Sequence, residues 1–133
     1  MFQRVFHSFY SWFSAVQPPP EDVLIVFQVF LGDLEVGTLR AEKGEWRFSY
    51  SESFRSQDKI APIPDFPNVD REYRGRNLWP FFALRIPSPK QSVVRDFINR
   101  HPGGVVDQGM LLKEFGERSI ANPFRLVQAP LAA

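Results

Sequence analysis

Two hydrophobic rhythms divide the chain. Over 23–50 apolar residues recur at every second position, and on either side of that stretch they recur at every third and fourth. The first rhythm predicts strands and the second predicts helices. Val23, Ile25, Phe27, Val29 and Leu31 make one apolar face of a strand over 23–31. Leu24, Val26, Gln28 and Phe30 make a second, largely apolar face, so both sides of this strand are expected to be covered. Gly32-Asp33 is a two-residue hairpin signal. The chain returns over 34–39, where Gly37 predicts a bulge or a close backbone approach. Glu42-Lys43-Gly44 makes the next turn. Over 45–50, Trp46, Phe48 and Tyr50 alternate inward with Glu45, Arg47 and Ser49 outward. The pattern predicts a three-stranded antiparallel meander with one aromatic face.

The helical rhythm is densest over 77–99. Asn77 is placed to cap a short helix with Pro80 in its first turn, where a missing N–H costs little. Leu78, Trp79, Phe81, Phe82 and Leu84 load that helix with more apolar surface than one side can hide. Ser88-Pro89-Lys90-Gln91 reads as the capping box of a longer helix with Val93, Val94, Phe97 and Ile98 as its stripe. His101-Pro102-Gly103-Gly104 stops it, and Asp107 caps a third helix that carries Met110, Leu111 and Phe115 and closes at Gly116. Between meander and helices, 51–58 holds a helical turn around Phe54. Ile60-Ala61-Pro62-Ile63-Pro64 is extended, confined by its prolines to a sheet edge or to no sheet. A charged loop occupies 65–76, and Pro123 makes a last strand over 119–127 an edge. At the start, Phe2, Val5, Phe6, Phe9, Trp12, Phe13 and Val16 share one helical stripe. The expected fold is α+β: a small antiparallel sheet, meander plus edge strands, packed by two to three helices. To it are added an N-terminal helix over 1–16, a proline linker over 17–22 and a tail over 128–133, leaving 23–127 as the domain proper.

Composition narrows the chemistry. A chain of 133 residues is one domain's worth, and with 44% hydrophobic residues it buries a real core. Fourteen Phe put large rings in charge of that core. A net charge of +1 gives no electrostatic case for nucleic acid. The absence of cysteine excludes disulfides, thiolate chemistry and cysteine-based zinc sites, and fits the cytoplasm. His7 and His101 are too few for a histidine metal cluster, and no apolar run is long enough to span a bilayer. Ser, His and Asp occur, but no nucleophile elbow, carboxylate pair or ligand spacing brings them together. Neither catalytic residues, cofactor nor metal is expected.

What remains is surface. Trp79, Phe81 and Phe82 follow a loop that contains Arg71, Tyr73, Arg74 and Arg76. Trp79 either covers the sheet or projects into a partner. The arginines with Tyr73 and Trp79 could track a phosphate backbone and stack on bases, against the simpler reading of a solvated loop, and direct nucleic-acid binding is disfavoured. The stripe of Phe6, Phe9, Trp12 and Phe13 either packs on its own domain or docks a partner, and its low positive charge argues against a membrane. Edges around Ile60 and Phe124, or the N-terminal helix, offer routes to a homodimer.

The ordered set VFLGDLEVGTL (29–39), WRFSY (46–50), IAPIP (60–64), NLWPFF (77–82), PSPKQSVVRDFI (87–98) and LLKEFGERSI (111–120) resembles the N-terminal subdomain of the HipA family, the serine/threonine toxin kinases of bacterial toxin–antitoxin systems. The resemblance covers about 25 to 127. Ala83-Leu84-Arg85-Ile86-Pro87 and the long basic loop depart from the family pattern, and the N-terminal helix has no counterpart in it. The kinase parts of such enzymes need a loop over the phosphates, a catalytic Asp and a Mg²⁺-binding Asp. Gly103-Gly104 is too short for the loop, and Asp96 falls within a helix. A free-standing subdomain looks like the small HipS-type subunit of three-part operons. That resemblance implies a cytoplasmic, non-catalytic subunit that binds and inhibits, or else completes, a HipA-like kinase lacking this subdomain, with a helix-turn-helix DNA-binding antitoxin as a further candidate partner. It also implies that an aromatic side chain, here Trp79, enters the kinase cleft.

Overall fold

Period-two alternation builds the sheet, and its turns fix the register. In a computed structural model, which describes residues 13, 15–119 and 122–130, β1 (Ile25–Leu31), β2 (Leu34–Glu42) and β3 (Glu45–Tyr50) form the expected meander. The β1–β2 turn places Gly32 at φ 61°, and the β2–β3 turn places Lys43 at 55° and Gly44 at 78°. Two successive left-handed residues match the right-handed twist of the flanking strands. The β1–β2 register slips between Val29 and Phe30, which makes the bulge beside Gly37. A Cβ on Gly37 would collide with the Ser49 carbonyl oxygen. Two edge strands complete an antiparallel sheet in the order β4-β3-β2-β1-β5, with β4 at Tyr73–Gly75 and β5 at Phe124–Gln128.

The helices are shorter than the sequence suggests. They are α1 (Glu52–Arg55), α2 (Pro80–Ala83), α3 (Ser92–Asn99) and α4 (Gln108–Phe115), with a 3₁₀ turn at Pro102–Gly104 before α4. Asp107 caps α4 by accepting from the Met110 N–H at 3.0 Å, and Gly116 closes it. Ser88 does not cap α3; its Oγ accepts from the Lys90 N–H in a separate turn, and the helix begins at Ser92. The stripe of α3 is correspondingly narrow: Val94 and Phe97 are buried, Ile98 is half-buried, and Val93 is 51% exposed. Most of the helix expected over 1–16, with Phe6, Phe9 and Trp12, lies outside the described residues, whereas Phe13 is buried in the core.

One face of the sheet carries the core. Ile25, Phe27, Val29, Leu39, Ala41, Trp46, Phe48, Tyr50 and Leu126 are buried with Phe54, Phe82, Phe97, Leu111 and Leu112 in one cluster. The expectation that both faces of β1 are covered is corrected: Val26, Gln28 and Phe30 are half-exposed, and Leu24 is exposed. Phe48 is central, stacked on Phe66 at 4.4 Å and edge-on to Tyr50 at 5.0 Å. Nor does the proline-rich 60–64 piece join the sheet. The Tyr50 hydroxyl holds it instead, donating to the Phe66 carbonyl at 2.7 Å and accepting from the Ile63 N–H at 2.9 Å. Burial pushes that phenol up to about 12, so it stays a donor at any physiological pH.

Gln108, fully buried at the start of α4, is the polar hub of the interior. Its Oε1 accepts from Trp46 Nε1 and from the Leu78 N–H, each at 3.0 Å. Its Nε2 donates to the Val16 carbonyl and to Asn77 Oδ1, each at 3.1 Å. The Gln108 N–H donates to the Gln17 carbonyl at 2.9 Å, so the segment before β1 is fastened to α4. Asn77 therefore serves this hub and is not the helix cap. Gln108→Leu keeps the volume but strands the two buried donors on Trp46 and Leu78. An unsatisfied buried group costs about 1–3 kcal/mol, so the variant is expected to lose about 2–5 kcal/mol in a urea titration followed by Trp fluorescence.

Candidate partner-binding site

The turn into α2 is built on a ring stack. Trp79 is the N-terminal flanking residue of α2, and its carbonyl accepts from the Phe82 and Ala83 N–H groups at 3.0 and 2.9 Å. Pro80 at the first helical position suits this start, since its missing N–H would have had no partner. The cap that Asn77 was expected to supply comes from Asp65, whose Oδ2 accepts from the Phe81 N–H at 3.0 Å. A carboxylate at that end is favoured by the helix dipole. Asp65 sits one residue before Phe66, so the same short segment supplies both the cap and the ring beneath the turn.

The aromatic side chains then separate by role. Phe82 is fully buried, with Phe48 and Phe66 at 5.8 and 5.9 Å, and it supports the turn from below. Trp79 and Phe81 are half-exposed. The Trp79 ring stands edge-on to Phe66 at 5.0 Å and lies over Gly75 of β4, where a Cβ would be 3.6 Å from its Cζ2. Gly75 thus admits the indole close to the strand. Phe81 is edge-on to Phe82 at 5.0 Å and to Phe124 of β5 at 5.2 Å. Tyr73 is half-buried against Phe66 at 5.1 Å, and its hydroxyl accepts from the Asn68 N–H at 2.8 Å.

Part of the expected basic loop is strand. Tyr73-Arg74-Gly75 pairs with Phe48-Arg47-Trp46, which turns Tyr73 and Gly75 toward the core and Arg74 to the opposite face. Arg74 is ion-paired to Glu45 at 3.0 Å and lies 3.9 Å from Glu72. Arg71 stacks over the Tyr73 ring at 5.3 Å, and Arg76 is exposed on a shallow groove with Gln17 and Pro18. Trp79 and Tyr73 thus both pack on Phe66 at the β4 side of the sheet, Phe81 packs on Phe124 of β5 toward the other side, and Arg74 is turned to the opposite face. No described group of three or more His, Asp or Glu side chains could hold a metal, and no described helix is long and apolar enough to cross a membrane.

Arg85 anchors the far end of the turn. Only 4% exposed, it donates from Nε to the Gly116 carbonyl, from Nη1 to Asn122 Oδ1, and from Nη2 to the carbonyls of Glu117 and Phe124. Burial pulls its ionisation down to about 10, so it remains a cation at neutral pH. Four oxygens, none of them a carboxylate, compensate it. Nothing in a lone arginine after Ala83-Leu84 announces this, because the acceptors come from residues 31 to 39 positions later. Arg85→Met should lower stability by about 3 kcal/mol, the scale of a charge-assisted network left as bare carbonyls. Arg85→Lys should recover little, since one ammonium cannot reach four oxygens, and a pair of denaturant titrations checks both.

No characterised protein and no solved structure matches the chain. Residues 27–120 match the family model described as the HipA N-terminal domain, and with that match spanning most of its 133 residues the chain belongs to this family.

Proposed function

We propose that this domain is a non-catalytic subunit of a bacterial toxin–antitoxin system that binds and restrains a HipA-like serine/threonine kinase lacking its own copy of the domain. The observation that carries the reading is the pair of half-exposed rings, Trp79 and Phe81, on a turn locked from below by Phe66 and Phe82. Within a HipA N-terminal domain, such a rigid aromatic edge is suited to filling a cleft on the kinase. Trp79 is the anchor, Phe81 and Tyr73 widen the contact, and Phe82 acts by supporting them. Arg76, exposed just before the turn, orients the contact, whereas Arg74 faces the other side of the sheet and stands outside it. A tryptophan seated in a partner's pocket contributes about 2 kcal/mol or more, and its rigidity lowers the ordering cost. In this role the protein works in the cytoplasm, and a helix-turn-helix antitoxin could complete the complex.

Nucleic-acid binding through 71–76 is less well supported, because Arg74 already faces Glu45 and Glu72 and Arg71 is spent on Tyr73. Self-association through β5 is also disfavoured. Its Leu126 N–H donates to the Glu117 carbonyl and its Phe124 carbonyl accepts from Arg85, so those edge groups are occupied.

Co-expression with a truncated HipA-like kinase tests the proposal. The two proteins should co-purify, kinase activity should fall, and Trp79→Ala should weaken binding by about thirtyfold while leaving the melting temperature within a few degrees. A kinase that neither co-purifies nor loses activity would sink the reading. Nucleic-acid binding with a steep salt dependence would replace it.

A further inference from the structure

Residues 16–20 lie outside the family match, which begins at residue 27, yet they are built into the domain as a strap across the start of α4. Gln17 pairs with Asp107 in a parallel bridge, and its carbonyl accepts from the Gln108 N–H at 2.9 Å. Pro19 is buried against Gly109 of α4, where a Cβ would lie 3.6 Å from the proline Cγ. The strap also meets the β2–β3 turn: a Cβ on Gly44 would lie 3.1 Å from Glu21 Cγ and 3.9 Å from the Pro19 carbonyl oxygen. At its leading end the Val16 N–H donates to the carbonyl of Phe13 at 3.0 Å, and Phe13 is fully enclosed in the core. Pro18-Pro19-Pro20 is stiff before it docks, so fixing it costs little chain entropy.

This strap reaches the Trp79 turn through one side chain. Trp46 Nε1 and the Leu78 N–H can only donate, so Gln108 must turn its Oε1 to them. Its Nε2 then faces the Val16 carbonyl, which can only accept, and Asn77 completes the set by presenting Oδ1. The carboxamide therefore fits in one orientation. Asn77 and Leu78, the two residues leading into Trp79, are held by the same group that Val16 holds.

We propose that the strap over 16–20 is a positioning element for the aromatic turn: its seating on α4 holds the Gln108 carboxamide, and through it the residues that lead into Trp79. Lifting Val16 and Gln17 away strips acceptors from two donors of a fully buried residue, the side-chain Nε2 and the main-chain N–H of Gln108. Native interiors avoid such a state, so the carboxamide shifts to recover partners and Asn77 and Leu78 shift with it. Phe66 beneath the indole and Asp65 on the Phe81 N–H do not depend on the strap. The strap thus sets the entry to the turn and leaves the turn itself formed. Pro19, buried against α4, is the positioning residue that seats it. The consequence for kinase binding rests on the function proposed above, whereas the coupling of strap to turn does not.

Native-state hydrogen exchange on the full, unsubstituted chain tests the coupling without any variant. Over a series of low urea concentrations, the Gln108 and Leu78 N–H groups should open in one shared event that leaves the amides of β2 protected. Leu78 opening independently of Gln108, or both exchanging only when β2 does, would overturn the proposal. Pro19→Ala should speed the exchange of these two N–H groups by about tenfold and leave β2 unchanged. Equal acceleration across the sheet would reduce the strap to general support for the fold, and the proposal would fall. In the co-expression experiment, Pro19→Ala should weaken retention of the kinase by about threefold to tenfold, with the contacting rings intact. Undiminished retention would also overturn the proposal. Should the unsubstituted chain not bind the kinase, the functional reading fails and the exchange measurements alone decide on the strap.

Discussion

The carboxamide of Gln108 is the point at which four distant stretches of chain meet. It sits in a fully buried position and uses both lone-pair directions of its oxygen and both hydrogens of its nitrogen. In a medium of low dielectric each of those bonds is strong, and each would be costly to leave open. The partners come from β3, from the segment leading into α2, and from the strand-like piece at Val16 and Gln17. Leu78, one of the two groups donating to the oxygen, immediately precedes Trp79. The aromatic edge is thus positioned from the interior, through a bond to α4, as well as by its own packing on Phe66. The stretch before β1 belongs to the same arrangement: Phe13 and Pro19 are buried, although the family match begins only at residue 27.

Arg85 performs for the sheet edge what Gln108 performs for the interior. An edge strand offers unpaired backbone groups to any passing chain, and native proteins block such edges in one way or another. Here a buried guanidinium occupies the Phe124 carbonyl while the Glu117 carbonyl occupies the Leu126 N–H. The opposite edge is blunted by length, since β4 has only three residues. With both edges restrained, what the sheet leaves exposed is side chains: the half-exposed rings at the α2 turn on one face, and Arg40 and Arg74 on the other. The two lie on opposite sides of β4, where Gly75 accommodates Trp79 on one face and Arg74 points to the other.

Much of this architecture can be read from local pattern. The meander, both of its turns, the bulge at Gly37, the capping of α4 by Asp107 and the core position of Trp46 all follow from signals contained within a few residues. The departures share a different cause. Asn77 has the chemistry of a cap, but a buried amide 31 positions away competes for it, and Asp65 takes over the helix start. Ser88-Pro89-Lys90-Gln91 has the form of a capping box, yet it closes a turn of its own before α3 begins. The outer face of β1 reads as covered because Val26 and Phe30 are apolar, and hydrophobicity alone does not say whether a layer will lie on it. Phe82 reads like Trp79 and Phe81, because a helix of one turn has too little periodicity to show which ring faces inward. Arg40, Arg47 and Arg74 are far apart in sequence, and only strand register brings them into line.

The surplus of rings in this small domain therefore divides into two physical classes. Phe48, Phe66 and Phe82 are enclosed and stack within 6 Å of one another, so their energy is spent on folding. Trp79 and Phe81 are held edge-on by that stack while keeping part of their surface in water. A ring held in this way loses little conformational freedom when a partner covers it, so more of its burial is available as affinity. A floppy loop bearing the same residues would first have to be ordered. In the proposed role such a stiff aromatic turn would make a small contact area effective, and the buried polar bonds of Gln108 help to hold that turn in place.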